Sequence, residues 1–368
     1  LGPRQLFITT NGRRVLNLMT ITIGSAFSGI GAWEKALTDL SIPHELQWFF
    51  EVDPYASVAY SAIHGTPASL NHKDITEANP DLLSDIDLFV YSPPCQAFSK
   101  AGKQQGFLDT RGVLFFDALK IIQAKKPKVA LMENVVGLTE KKFKREFRAM
   151  LDALSEAGYY NYWRVLNSKD YGIPQHRERV FIVSLRKDVD FGLFTFPPPF
   201  GCELRLKDLL EPEVDILYYV DPERCEGMTF LDAEPANDLL FVGGIGEKKW
   251  LDDGKDFSRN YPQGNRVYSS LGIACSQTAQ GGGLGSYTGL YLVEPTPLTP
   301  YPVRKLTPLE SWRVMGFKDD DFFKAQTALN NTFYGGKDMS KGHLYKMAGN
   351  SIVVDTVKVI LSAVLDYL

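Results

Sequence analysis

From Thr20 to about Lys187 short apolar runs alternate with helix-like stretches, and this alternation constrains the fold more than any other feature of the chain. The runs Thr20–Phe27, Leu46–Val52, Asp87–Tyr91, Val129–Glu133, Trp163–Leu166 and Val180–Leu185 read as strands. Between them Trp33–Leu40, Pro54–His64, Leu114–Ala124 and Lys142–Ala157 read as helices. The order predicts an α/β fold with a doubly wound, mostly parallel, Rossmann-like sheet. Near Phe194 to Phe200 three prolines among aromatics make a stiff connector, and beyond it turn residues multiply. The expected organisation is a first domain at 19–198, completed by 343–368, and a smaller loop-rich domain with its hinge at 199–342. At the end Asn350-Ser351 is expected to cap a helix whose apolar face runs from Ile352 to Leu368.

Composition narrows what such a chain can do. Its 368 residues are 44% hydrophobic, enough for one large core or two smaller ones. The net charge is −4, so any surface for nucleic acid has to be a local patch. The 4 cysteines, Cys95, Cys202, Cys225 and Cys275, form no CxxC pair, and the 5 histidines have no metal spacing. No zinc site or disulfide framework is expected, and a reducing cytosol fits. No apolar stretch approaches the ~18 residues of a membrane span. Leu1 to Leu18 lacks the apolar core of a signal peptide, and Met19 is a candidate natural start.

Chemistry-bearing residues gather where open α/β sheets bind ligands, at the carboxyl ends of the strands. After the first strand, Phe27-Ser28-Gly29-Ile30-Gly31-Ala32 makes a glycine-bearing turn into a helix, which leaves helix N–H groups free for a ligand. Glu51 closes the second strand, about 20 residues on, where a carboxylate can accept from a ribose diol. Asp74 is placed to accept from an adenine amine. Together they suggest an adenosine ligand without separating NAD from S-adenosylmethionine. After the third strand, Ser92-Pro93-Pro94-Cys95 fixes a thiol on a proline-braced loop. A lone free cysteine is more often a small packed hydrophobe. Its neighbours argue otherwise: Glu133, whose burial would keep it protonated, ends the next strand, and Arg177 and Arg179 stand at the entrance of a later one, both expected on one face.

Pro93-Pro94-Cys95-Gln96, Glu133-Asn134-Val135, Gln175-His176-Arg177-Glu178-Arg179 and Gly349-Asn350-Ser351, in this order, resemble the cytosine-5 DNA methyltransferase family of bacterial and phage restriction-modification or orphan type. The similarity runs on through Ser99 to Phe107, Asp109 to Asp117, Arg304-Lys305-Leu306-Thr307-Pro308 and Arg313 to Phe317. It implies that Cys95 is the nucleophile toward carbon 6 of a flipped cytosine, with Glu133, Arg177 and Arg179 engaging the base or an adjacent phosphate. It implies S-adenosylmethionine, and no metal, with Phe27, Ser28, Gly29, Ile30, Gly31, Glu51, Val52, Asp74, Ile75, Pro94, Leu114, Asn350, Ser351 and Ile352 around the cofactor. Val52 stands where a larger side chain often packs on adenine.

The resemblance also implies duplex DNA as partner, met by Ser99, Lys100, Lys103, Gln104 and Arg111 on a closing loop and by Gln263, Arg266, Ser276 and Thr278 in the second domain. The expected state is a monomer in the bacterial cytoplasm, alongside the nucleoid, with room for a restriction endonuclease acting separately. A tRNA cytosine-5 methyltransferase is the alternative within the family. A nicotinamide or flavin oxidoreductase, and a DNA-binding protein without activity, are the alternatives outside it; Ala32 and the Cys95, Glu133 and Arg179 set argue against them.

Overall fold

The computed structural model describes residues 20–94, 110–225, 230–246, 261–280, 288–294 and 303–368, with a short antiparallel pair at 7–8 and 14–15. All six expected strands form, as β1 (Ile21–Ala26), β2 (His44–Phe50), β3 (Leu88–Tyr91), β4 (Val129–Val135), β5 (Tyr159–Asn167) and, after the two-residue β6 (Gln175–His176), β7 (Glu178–Arg186). They build one sheet in the order β2-β1-β3-β4-β7-β5. The first four are mutually parallel, and β7 runs antiparallel to both β4 and β5.

The central strands β1, β3 and β4 and most of β7 read as apolar runs because both faces of the sheet are covered there, while the edge strand β5 leaves Tyr160 and Trp163 half-exposed. Side chains alternate between two cores. Leu88, Val90, Val129, Leu131, Phe181 and Val183 face one side, with helices α1 (Ala32–Asp39) and α2 (Pro54–His64). Phe89, Tyr91, Ala130, Met132, Val180 and Ile182 face the other, with α3 (Thr110–Lys125) and α4 (Lys144–Glu156). α2 spans the expected residues because its ends are locally encoded. Asp53 accepts from Tyr55 N and Ala56 N, Pro54 opens the first turn, and Gly65 ends the helix at φ 64°.

The second sheet has four short strands, β8 (Phe241–Gly244), β9 (Arg266–Ser269), β11 (Leu290–Leu292) and β12 (Val303–Arg304), in that order. Between β9 and β11, β10 (Ala274–Cys275) leaves this sheet to pair in parallel with β6.

Two expectations need correction. The boundary at 342 is misplaced, since Leu309, Trp312, Met315, Phe317, Phe322 and Leu329 are buried in the first core. They belong to α5 (Pro308–Arg313), the turn after it, and α6 (Asp319–Tyr334). α5 is set by a capping box between Thr307 and Glu310, and Glu310 also makes a fully buried two-point ion pair with Arg304 at 2.7 and 2.8 Å. Nor does Asn350-Ser351 cap the final helix. Asn350 ends α7 (Lys341–Asn350) and Ser351 closes it, its N–H bonding back to Met347 O. α8 (Val354–Val364) starts after Val353 with no side-chain cap. Its apolar face is buried as expected. The stretch Lys341–Tyr367 is long and apolar enough to cross a bilayer, yet most of it is buried inside this fold.

Candidate active site at the carboxyl ends of the strands

A cavity of about 490 Å³ opens where β1 to β4 end and β7 begins. Of the expected cofactor residues, Phe27, Ser28, Gly29, Glu51, Val52, Asp74, Ile75, Pro94, Leu114, Asn350, Ser351 and Ile352 border it. Glu133, Arg177, Arg179, Ser276 and Thr278 border it too. Residues from both ends of the chain thus meet around one space.

The turn after β1 is shaped by its backbone. Phe27 and Gly29 both have φ 55°, and Gly31 has φ 75°. Ile30 and Gly31 do not face the cavity. Ile30 is 1% exposed in the first core. A Cβ on Gly31 would lie 2.2 Å from His64 Nε2, so the glycine serves close packing of α1 on α2. Gly31 also leaves the first turn of α1 without a side-chain cap.

Glu51 holds this turn from the end of the neighbouring strand. Its Oε2 accepts from Gly29 N and its Oε1 from Asp53 N, both at 2.8 Å. Burial pushes its carboxyl above the ordinary range, and the two backbone N–H groups only partly offset that. Asp74 turns its carboxylate onto Thr76, accepting from both its N–H and its hydroxyl. Val52 is 67% exposed at the rim.

The next wall carries Glu133 and Arg179. Glu133 is buried near the end of β4, and Arg179 Nε lies 2.9 Å from its Oε1. Burial raises the Glu133 carboxyl, while Arg179 and Arg177 pull it down; burial prevails. Pro93 and Pro94 lie at the same edge. Cys95, Ser99, Lys100, Lys103 and Gln104 fall outside the described residues, as does the side chain of Arg111.

Arg177 departs from expectation. It lies between β6 and β7 rather than beside Arg179 on one strand face, and it is 2% exposed. Its guanidinium donates to Ser276 Oγ, Gln277 O, Gly349 O and Ser351 O. That leaves Arg179 as the arginine paired with Glu133. Gln263 and Arg266 do not border the cavity. Arg266 donates to Gln263 Oε1 at 2.8 Å and to Tyr261 O, so the two residues hold each other at the start of β9.

One useful residue had no assigned role. Asn134 is buried, and its Nδ2 donates to Pro93 O at 3.2 Å, bracing the loop that leads to Cys95. The signal was there: an amide inside an apolar strand must find a partner.

The donors and acceptors suit a nucleoside-bearing ligand. The volume is in the range of ligand pockets, roughly 300–1,000 Å³. Glu51 offers a carboxylate at the wall, and the hydroxyls of Ser92 and Thr278 are buried there without a partner. Among the described residues no group of His, Cys, Asp and Glu is arranged to hold a metal ion.

A family model described as C-5 cytosine-specific DNA methylase matches residues 21–366. The chain is 37% identical over 305 residues to the orphan methyltransferase M.Rho11sI of Bacillus phage rho11s, a match covering 74% of this chain and 61% of that one. It is 35% identical over 334 residues to the type II methyltransferase M.HhaI of Haemophilus parahaemolyticus, covering 91% of each. Among solved structures, S. pombe Dnmt2 methyltransferase aligns with a TM-score of 0.63 at 20% identity, covering 94% of this chain and 98% of that one. The Entamoeba histolytica methyltransferase EhMeth aligns with a TM-score of 0.67 at 16% identity, covering 95% and 98%. These two likenesses concern the fold.

Proposed function

The chain belongs to the C-5 cytosine-specific DNA methylase family, which uses S-adenosylmethionine, and from that membership we propose that it methylates carbon 5 of a cytosine flipped out of duplex DNA. The observation that carries the reading is the buried Glu133–Arg179 pair, facing the same cavity as the Phe27–Gly29 turn and Glu51. A base-sized acid–cation pair beside a nucleoside-sized pocket is what methyl transfer between two such ligands needs.

In this reading the Cys95 thiolate adds to carbon 6 of the cytosine, making carbon 5 enamine-like. Bound S-adenosylmethionine supplies a methyl activated by its sulfonium. Glu133, its carboxyl pKa raised by burial, acts in its protonated form, donating to N3 and accepting from the exocyclic amine, which relieves the negative charge that builds on the ring. Arg179 binds the O2 side and orients Glu133. Loss of the carbon-5 proton to water in the site then expels Cys95. Phe27, Ser28 and Gly29 line the cofactor, Glu51 takes the ribose, Asp74 the adenine, and Asn350 to Ile352 close the far wall. Ser99, Lys100, Lys103, Gln104 and Arg111 close on the DNA, while Gln263, Arg266, Ser276 and Thr278 read or grip it. The protein acts as a monomer in a bacterial cytoplasm, and a cognate endonuclease, where one exists, acts separately.

Duplex DNA and tRNA incubated side by side with tritiated S-adenosylmethionine test this directly. The expected result is label in DNA, at positions that bisulfite sequencing then identifies; label in tRNA alone rejects the DNA assignment.

Glu51 adds a pH dependence. Only its carboxylate form can accept from both ribose hydroxyls, and its pKa is raised by burial. Binding therefore favours proton release, and affinity falls as pH drops through that raised pKa. Calorimetric titration of S-adenosylhomocysteine should show the weakening begin above the ordinary glutamate range of about 4.3. Glu51→Gln should bind more weakly and with a flat profile; an equally steep profile in that variant removes Glu51 from the ribose.

A further inference from the structure

Arg177 joins two segments far apart in sequence. Nη1 takes Ser276 Oγ at 3.2 Å and Gln277 O at 2.7 Å, and Nη2 takes Gly349 O at 2.9 Å and Ser351 O at 2.7 Å. The planar guanidinium fixes the spacing of its acceptors, which the point charge of a lysine does not. With the side chain 2% exposed, no water can replace an acceptor that moves away. The same two segments also meet backbone to backbone. A Cβ on Gly349 would lie 1.9 Å from the carbonyl carbon of Thr278, so nothing larger than glycine fits between them. Gln277 N donates to Gln175 Oε1 at 3.1 Å, and β10 pairs with β6 just before, which ties the 276–279 segment to the residues preceding Arg177.

We propose that Arg177 is a positioning residue that couples the two ligands of the proposed function. A ligand seated against Asn350 to Ile352 pulls on Gly349 O and Ser351 O. DNA gripped by Ser276 and Thr278 pulls on the other two acceptors. Both act on one rigid fork, so each ligand favours the arrangement that the other needs. Such coupling is reciprocal and typically amounts to roughly 5- to 150-fold in affinity. The inference rests on the function proposed above.

The test measures the affinity of S-adenosylhomocysteine for the full chain, with and without a saturating duplex bearing the site found by bisulfite sequencing. Wild type should show a ratio of roughly 5-fold or more. In Arg177→Lys the ratio should fall to within about 2-fold of unity, although both ligands still bind. A merely structural role would lower both affinities or the melting temperature and leave the ratio unchanged; that outcome overturns the proposal, as does a wild-type ratio of one. If Arg177→Lys does not fold, Ser276→Ala takes its place. It removes one acceptor, and the ratio should drop part of the way; an unchanged ratio is again fatal. A wild type that binds no S-adenosylhomocysteine at all overturns the functional reading itself, a separate and recognisable failure.

Discussion

Cys95→Ser protein should bind S-adenosylhomocysteine as wild type does and transfer methyl groups at a rate lower by on the order of 10⁴-fold or more. The size of the loss follows from the role proposed for the thiol. Without addition at carbon 6, carbon 5 of cytosine is a poor nucleophile, and a serine hydroxyl at neutral pH supplies almost no anion to make that addition. Cofactor binding should survive because its proposed contacts are Glu51, the Phe27–Gly29 turn and the Ser351 wall. Tritium incorporation into DNA, read beside a calorimetric titration, separates the two effects. A duplex with 5-fluorocytosine at the target should trap wild-type protein covalently and leave Cys95→Ser unattached. Turnover retained in Cys95→Ser would falsify the nucleophile assignment.

Glu133→Gln comes second in size, with an expected loss of about 10²- to 10⁴-fold in kcat. The substitution keeps the shape, so packing at the end of β4 is preserved. It removes the carboxyl whose pKa burial raises, and with it the charged partner that Arg179 Nε meets at 2.9 Å. A glutamine can still offer an N–H to N3 but cannot give up a proton as negative charge builds on the ring. The loss should therefore fall on kcat and on the rate of 5-fluorocytosine trapping, with little change in cofactor affinity. An unchanged trapping rate would mean that Glu133 only holds Arg179 in place. The carboxyl pKa lies above its ordinary value, so burying Glu133 favours folding below the unfolded pKa and costs stability as pH rises through the folded one. Glu133→Gln should accordingly melt higher than wild type at alkaline pH, with the gap closing on acidification.

The strands and the first helices were legible in sequence because their causes are local. The two-sided sheet makes continuous apolar runs, and Asp53, Pro54 and Gly65 mark the ends of α2 residue by residue. The pocket was legible because motifs at strand ends fall on one edge of such a sheet. What was hidden depends on distant partners. Arg177 sits two residues from Arg179 and looks equivalent, yet its acceptors come from about 100 and about 170 positions away. Ile30 and Gly31 belong to the loop motif, but packing against α2 claims them. α5 and α6 lie in a stretch crowded with turns, and only the burial of Trp312 and its neighbours shows that they complete the first core.

That completion has a consequence for how the protein is made. One face of the large sheet is closed by α1 and α2 from the beginning of the chain and by α5 to α8 from its end, where Lys128 even bonds the carbonyl of Leu368. A ribosome therefore releases the strands, α1 and α2 well before α5 to α8, whose Trp312, Phe322, Val357 and Leu361 complete this core. The segment between the two halves is pinned at more than its ends, since β10 pairs with β6 and Gly349 packs on Thr278, so changes in its length are confined to stretches away from 274–279.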